Sequence, residues 1–347
     1  MKIGIVGFPR AGKTTVFNAL TGLHAAVGSY ADPSKPNLGT IKVPDLRIDR
    51  LSAIFNPRKT TYAEVVFVDF PGGERAGVLD QSTLVQMRDA DALVHVVRGF
   101  DDPSATQTAD PRRDIAAFQG ELVLADLAII EKRAERLRKE KGKDQEAELV
   151  GRLKTALEAE TPLRRLELSA AEERALAGFG LLSRLPLMVV VNAGEADAAR
   201  PLGAALEAHL ESEGIRGLPL CAQIEMEIAA LEPADRAAFL ADLGLTEPAR
   251  DRFIQAAYGL LDLISFLTSG EDEVRAWPIR RGTPAVKAAG KVHSDIERGF
   301  IRAEVVAYDD FIRLGSEAKC REAGKLRLEG KDYVVQDGDI IHYRFNV

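Results

Sequence analysis

The sequence GFPRAGKT, Gly7–Thr14, decides the fold of this chain. It satisfies the pattern GxxxxGK[ST] and lies between an apolar run, Lys2–Val6, and a segment of helical character, Lys13–Leu20. In such a loop backbone N–H groups surround phosphates, the lysine reaches the outer phosphate oxygens, and the hydroxyl contacts Mg²⁺. We therefore expect a phosphate-binding loop (P-loop) between the first strand and the first helix. Its binding residues would be Gly7, Phe8, Pro9, Arg10, Ala11, Gly12, Lys13, Thr14 and Thr15.

Three further apolar runs have the length and composition of buried strands: Val65–Val68, Ala92–Val97 and Leu187–Val191. Continuous valine-rich runs are typical of the interior of a parallel sheet, because helices cover such a sheet on both faces. The sequence thus predicts an α/β fold, the doubly wound sheet of a P-loop NTPase.

A candidate magnesium site follows the second of these strands, where the sequence DFPG begins at Asp69. The carboxylate could hold Mg²⁺ together with the Thr14 hydroxyl, and the N–H of Gly72 could contact the third phosphate. The preceding loop is rich in proline, serine and glycine, and both Ser34 and Thr40 in it carry a hydroxyl that could complete the metal shell.

The fourth predicted strand is followed by NAGE, Asn192–Glu195, where a guanine-binding P-loop protein would have NKxD. The aspartate of NKxD accepts the N1–H and N2–H₂ donors of guanine, whereas adenine presents a bare N1 acceptor and an N6 donor. The altered motif therefore weakens the recognition of guanine. A plain turn after the strand is the alternative interpretation.

The rest of the chain predicts two additions to this sheet. Heptad-like spacing on both sides of Gly142 indicates an inserted antiparallel helical hairpin, a helical stretch covers Pro233–Thr268, and alternating strands with breakers follow a boundary near Trp277. We expect a nucleotide-binding domain at residues 1–115 and 181–276, a hairpin domain at 116–180, and a β-grasp domain at 277–347.

Composition excludes several classes of protein. The chain is 46% hydrophobic and 29% charged with net charge -7, which disfavours both disorder and a surface that coats nucleic acid. Its N-terminal apolar run is too short for a signal or membrane segment, so we expect a cytoplasmic protein without membrane association. Cys221 and Cys320 form no CxxC motif.

The motifs above and the tail HSDIERGFIRAEVVAYDDF, which begins at His293, resemble the YchF/Obg-like ATPase family over nearly the whole chain. The resemblance implies a G domain, a hairpin and a C-terminal TGS domain. It also implies a preference for ATP with Mg²⁺, from a family NxxE motif that matches Asn192 and Glu195, which makes these two residues candidates for binding the base. It also implies association with the ribosome, through the large subunit or its rRNA, by the hairpin and TGS domain. Ser34 would be the equivalent of the family's metal-contacting threonine.

The chain departs from that family where a catalytic water would be positioned. The family's glycine-rich stretch after DxxG is missing, Gly73 stands at the water-orienting position, and Gln107 falls near the family's candidate catalytic histidine. Lys13, Gly72 and Gln107 are the catalytic candidates, and slow or partner-stimulated ATP hydrolysis by a monomer is the expected activity. A nucleotide-gated ribosome adaptor with little hydrolysis, and a GTPase of the same fold, are the alternatives.

Overall fold

The structure is a computed structural model that describes residues 1–25, 36–71, 79–105, 107–140 and 142–346. The chain divides into two compact units. The P-loop unit comprises Met1–Ile41 and Val66–Phe253, and the C-terminal unit comprises Lys42–Val65 and Ile254–Val347. Among the described residues no helix is long and apolar enough to cross a membrane.

The strands in chain order are β1 (Lys2–Val6), β2 (Asn37–Lys42), β3 (Lys59–Thr61), β4 (Glu64–Asp69), β5 (Ala92–Gly99), β6 (Leu187–Ala193), β7 (Arg216–Leu220), β8 (Leu263–Thr268), β9 (Glu273–Arg280), β10 (Phe300–Ala307), β11 (Arg327–Glu329) and β12 (Asp339–Phe345).

The helices are α1 (Lys13–Thr21), α2 (Leu46–Phe55), α3 (Gln81–Met87), α4 (Pro111–Leu137), α5 (Asp144–Glu158), α6 (Ala170–Leu176), α7 (Ala204–Ser212), α8 (Ala222–Ala230), α9 (Pro233–Asp242), α10 (Ala249–Leu260), α11 (Ala285–Val292), α12 (Ser294–Arg298), α13 (Tyr308–Leu314) and α14 (Glu317–Glu322).

The sheet of the P-loop unit has the strand order β2-β4-β1-β5-β6-β7. β1 pairs in parallel with β4 and β5, and β6 pairs in parallel with β5 and β7, so the predicted α/β sheet is confirmed. β5 and β6 are buried along nearly their whole length, which is why their sequences are continuous apolar runs. The carboxyl ends of β1, β4, β5 and β6 therefore meet at one edge, where ligands bind in such sheets.

The inserted hairpin consists of α4 and α5, which share an apolar core that includes Ile130, Val150 and Leu153. α4 starts at Pro111, so the predicted boundary between residues 115 and 116 falls inside this helix. At the base of the hairpin the Asp126 carboxylate accepts hydrogen bonds from the backbone N–H groups of Leu182 and Ser183. This buried carboxylate fixes the hairpin to the segment that leads into β6.

The sheet of the C-terminal unit has the order β11-β10-β12-β8-β9-β3. The last strand, β12, pairs in parallel with β8 and antiparallel with β10, while α11 packs on the core, which is the β-grasp arrangement. The prediction of helix through Thr268 is wrong, because Leu263–Thr268 is the strand β8. The predicted boundary near Trp277 lies inside β9, and the three-domain division remains a prediction beside these two units.

Residues 42–65, far from the C-terminus in sequence, are part of this second sheet unit. β3 pairs in parallel with β9, the Phe55 ring stacks on Phe311 with centroids 5.6 Å apart, and the Arg47 guanidinium lies 3.0 Å from Asp337. The chain therefore leaves the P-loop sheet after β2, builds the edge of the β-grasp sheet, and returns in β4.

Candidate nucleotide-binding site

The P-loop connects β1 to α1 through two glycines that other residues could not replace without strain. Gly7 has φ 149° and Gly12 has φ 83°. A Cβ on Gly7 would lie 2.3 Å from the Val96 carbonyl oxygen, and a Cβ on Gly12 would lie 2.2 Å from Asn192 Nδ2. The loop thus passes close to β5 and β6 and leaves its N–H groups at the start of a helix, which suits an anion.

Lys13 is the first residue of α1, and its side chain is 8% exposed. Its ammonium donates a hydrogen bond of 3.4 Å to the carbonyl oxygen of Phe8, within the loop itself. Burial lowers the pKa of Lys13, and the nearby carboxylate of Asp69 opposes that shift. A phosphate bound in the loop would supply the negative charge that this buried ammonium lacks.

Asp69 at the end of β4 lies beside the first turn of α1. Its Oδ2 accepts hydrogen bonds from Thr14 Oγ1 at 2.8 Å and from Asn37 Nδ2 at 3.1 Å, whereas its buried Oδ1 has no partner among the described residues. Burial raises the pKa of Asp69, and the hydrogen bonds from Asn37 and Thr14 and the charge of Lys13 oppose the shift. The carboxyl group is thus 4% exposed with one oxygen free.

These groups fit Mg²⁺, which prefers oxygen ligands and is usually bound by one or two protein side chains plus phosphates and water. The free Oδ1 of Asp69 and the hydroxyl of Thr14 are such ligands. Within the described parts of the chain no group of three or more His, Cys, Asp or Glu side chains could hold a metal ion alone. A cation here would therefore depend on nucleotide phosphates for the rest of its shell.

Asn192 ends the buried part of β6 and is 5% exposed. Its amide donates to the carbonyl of Ala11 at 3.0 Å and accepts from the N–H of Ala222 at 3.1 Å, so it ties the P-loop to the start of α8. Glu195 is exposed in the short 3₁₀ turn Glu195–Asp197. That these two residues read the base remains a prediction.

The other predicted site residues fall into three groups. Ser34 and Gly72 lie outside the described residues, as does Gly73. Thr40 is exposed on β2, and the contact from this strand to Asp69 comes from Asn37 instead. Gln107 is exposed and lines a pocket together with the P-loop residues Phe8–Ala11.

Within the loop the predicted residues have different roles. The Phe8 side chain is buried in the core, so only its backbone faces the loop. Arg10 has φ 66°, uncommon for a residue with a side chain, and its guanidinium lies 3.3 Å from Asp102. Pro9 and Ala11 line the pocket, and Thr15 is half-buried on α1.

Sequence reasoning missed Asn37, His95 and Arg98. His95 and Arg98 are buried on β5, and two polar residues in an otherwise apolar run are a signal that the sequence does contain. Asn37 carried no such signal, because its contact depends on the pairing of β2 with β4.

Two family profiles match the chain. The profile described as a 50S ribosome-binding GTPase matches residues 2–133. The YchF-GTPase C-terminal profile, described as a protein of unknown function, matches residues 263–346.

Curated proteins and a solved structure are similar over the whole length. The ribosome-binding ATPase YchF of Bacillus subtilis (strain 168) is 42% identical over 361 residues, with 99% of each chain covered. The protein of the same name from Escherichia coli O157:H7 is 39% identical over 368 residues, covering 100% of this chain and 99% of the other. The structure of the Schizosaccharomyces pombe YchF GTPase has a TM-score of 0.87 at 30% identity, covering 99% of this chain and 97% of that one.

Proposed function

The chain belongs to the YchF family, and from this membership we propose that it hydrolyses ATP to ADP and phosphate at the P-loop and binds the ribosome. The observation that carries the proposal is the buried group formed by Lys13, Thr14 and Asp69. Among the described residues, it combines at the start of a helix an ammonium that donates only to the Phe8 carbonyl and a carboxylate with one unpartnered oxygen. A magnesium-bound triphosphate supplies what both groups lack.

Each of the proposed site residues would have a separate role in phosphoryl transfer. Thr14 and Asp69 would hold Mg²⁺, which would supply positive charge to the outer phosphates when bound. Lys13 and the loop N–H groups would stabilise the charge that develops on the transferred group. Gly72 would contact the third phosphate, and Ser34 would add a hydroxyl to the metal shell. Gln107 would orient water, and its exposed position suits slow or partner-stimulated turnover.

ATP is the proposed nucleotide, although the similar proteins are named both as ATPases and as GTPases. The supporting observation is that Glu195 stands where a guanine-reading protein would carry aspartate. Titration of the purified full chain with ATP and GTP in the presence of Mg²⁺ tests this choice. We expect tighter binding of ATP, and a clear preference for GTP would overturn the assignment.

The nucleotide site itself is tested by Lys13→Ala, with Lys2→Ala as the matched control on an exposed lysine of β1. We expect Lys13→Ala to weaken ATP binding by about a hundredfold or more, since a charge-assisted contact to the phosphates is lost. Lys2→Ala should bind ATP as the original chain does. Unchanged affinity in Lys13→Ala would refute the proposed site.

For the ribosome, we propose contact with the large subunit or its rRNA through the α4–α5 hairpin and the β-grasp module, by a monomeric cytoplasmic protein. Gly73 at the water-orienting position has no side chain that could position water. This favours a second candidate function, an adaptor whose ATP-bound form docks on the ribosome without appreciable hydrolysis. Cosedimentation with ribosomes in ADP and in a nonhydrolysable ATP analogue separates the two. Nucleotide-dependent binding without turnover supports the adaptor, and turnover stimulated by ribosomes supports the ATPase.

A further inference from the structure

The pocket that Pro9, Ala11 and Gln107 line is formed by the P-loop residues Phe8–Ala11, by β5 and by the segment that connects β5 to α4. Its volume is about 240 Å³. The described side chains that line it include Arg10, Arg98 and Arg113, against the single carboxylate of Asp114. The pocket is therefore cationic, and four residues of the loop that would hold the triphosphate are part of its lining.

Arg98 is the unusual residue in this pocket. It is 7% exposed, yet within the described parts of the chain its guanidinium forms no ion pair and donates one hydrogen bond, to the carbonyl oxygen of Gln107. Buried arginines are normally paired with carboxylates, because an unpaired buried charge is costly. Arg10 and Arg113 differ, since they pair with Asp102 and Asp114.

His95 gives a second, independent indication of a missing ligand. It lines the same pocket with 0% exposure, and neither ring nitrogen has a hydrogen-bond partner among the described residues. Its ring stacks on Phe118 with centroids 4.1 Å apart, which fixes its orientation. Burial and the charge of Lys13 lower the pKa of His95 to about 3, so the neutral ring keeps one N–H donor for a ligand.

The first turn of α4 adds to this environment. Arg113 and Asp114 of this long helix line the pocket, and the N-terminus of a helix carries partial positive charge. The Arg113 guanidinium also donates to the carbonyl of Thr108, so the pocket wall is held in place by the loop before the helix. The site offers N–H donors from a fixed frame, which is the arrangement that binds tetrahedral oxyanions.

We propose that this pocket is a second anion site that receives inorganic phosphate, with Arg98 as its principal ligand. The phosphate would be the product of the neighbouring P-loop, a source that rests on the proposed hydrolysis. Bound there, phosphate would remain beside the site of its formation and slow the turnover of the enzyme. Gln107, proposed above to orient water, also lines this pocket, so the phosphate would lie next to the position of the third phosphate of ATP rather than in it.

The test titrates inorganic phosphate into the full chain by calorimetry, once saturated with ADP and Mg²⁺ and once with a nonhydrolysable ATP analogue and Mg²⁺. We expect one saturable phosphate with the same affinity in both states. Binding that disappears when the analogue is present would place the anion at the third-phosphate position and overturn the proposal. The absence of saturable binding in both states would also overturn it.

Two variants test the pocket in different ways, one by removing a positive charge and one by adding a negative charge. Arg98→Gln removes the free guanidinium, and Ala105→Glu places a carboxylate in the pocket lining, so each should weaken phosphate binding at least tenfold. Arg112→Gln is the matched control, because Arg112 is exposed, outside the pocket lining, and donates to the Ala205 carbonyl. Should Arg98→Gln not fold, Ala105→Glu alone decides. Phosphate affinity unchanged in the folded pocket variants would refute the site.

Inhibition of steady-state turnover by added phosphate tests whether the pocket holds the phosphate that hydrolysis releases, or only phosphate taken up from solution. We expect phosphate to inhibit noncompetitively with ATP, and Ala105→Glu to raise the inhibition constant at least tenfold. If the variant loses phosphate binding while inhibition stays the same, the pocket does not hold the product and that part of the proposal falls. Direct titration needs no hydrolysis, so failure of the proposed ATPase activity would be seen separately.

Discussion

Asp69 in the nucleotide site and Asp126 at the base of the hairpin are both buried aspartates of the P-loop unit, at 4% and 0% exposure. Asp126 accepts hydrogen bonds from Leu182 N at 2.8 Å, Ser183 N at 2.7 Å and Ser183 Oγ at 2.6 Å, so both its oxygens are used. Asp69 has donors on Oδ2 alone as far as the described part of the chain extends.

The comparison distinguishes a carboxylate that stabilises the fold, Asp126, from one that is available to bind a ligand, Asp69. Burial raises the pKa of both groups, so this direction does not distinguish them. The number of hydrogen-bonded carboxylate oxygens does distinguish the two residues, because a buried oxygen without a partner destabilises the folded state until a ligand binds. Opposite effects on stability and activity are therefore expected when each residue is changed to its amide.

The largest effect is expected for Asp69→Asn on catalysis. Loss of the negative charge removes a metal ligand, and we expect kcat to fall by about a thousandfold, roughly 4 kcal/mol in the activation barrier. Stability in EDTA should be equal to or about 1 kcal/mol above that of the original chain, because an unsatisfied buried charge is gone. ATPase assays and urea unfolding measure the two. A stability loss of several kcal/mol would contradict the comparison.

The next effect is on stability, through Asp126→Asn. The amide would direct its NH₂ group at backbone N–H donors, so we expect a loss of about 3 kcal/mol in the free energy of unfolding. Equilibrium urea unfolding followed by circular dichroism measures the change. ATP affinity of the folded protein should remain within about twofold of the original, and a selective loss of ATP binding without destabilisation would show that Asp126 serves the site.

A smaller effect on stability is expected when one hydrogen-bond donor to each carboxylate is removed. Ser183→Ala removes the hydroxyl that donates to Asp126 and accepts from the Leu163 N–H, and it should cost about 1–2 kcal/mol of stability. Asn37→Ala removes the amide donor from Asp69 and should leave stability within about 0.5 kcal/mol while weakening Mg²⁺ binding severalfold. Thermal unfolding and Mg²⁺ titration of nucleotide-bound protein measure both. Equal destabilisation by the two changes would remove the distinction.

The smallest effect is a pH dependence of Mg²⁺ binding. The folded-state pKa of Asp69 is raised, so the protonated form stabilises the fold at low pH and that contribution is lost as pH rises through the raised value. Mg²⁺ requires the ionised form, and its affinity should fall as pH drops through the same range, by at most about tenfold per unit. Mg²⁺ titrations between about pH 8 and pH 5 test this, with Asp69→Asn lacking the dependence.

The sequence predicted the strands and site residues that P-loop sheets have in common. Lys13, Thr14 and Asp69 come together because β1 and β4 are adjacent parallel strands, and runs of buried valine identify such strands. β8 could not be predicted, since the short run Leu263–Thr268 follows a helix and an apolar run of that length suits either structure.

The unpredicted part of the site depends on contacts between distant segments. Arg98 is recognisable as a polar residue in an apolar strand, but that no described carboxylate forms an ion pair with it is a property of the folded chain. Asn37 reaches Asp69 only through the position of β2 beside β4, which no local pattern encodes.

The insertion of residues 42–65 into the β-grasp sheet determines how this protein can be shortened. A fragment starting at Trp277 would cut β9 in two and would lack β3, the strand beside it. Conversely, a stop codon before β8 would leave α2 and β3 in the middle of the remaining polypeptide without the partners they pack against. Neither half of the gene is therefore a self-sufficient genetic module, and a nonsense mutation late in the coding sequence should direct the whole product to proteolysis.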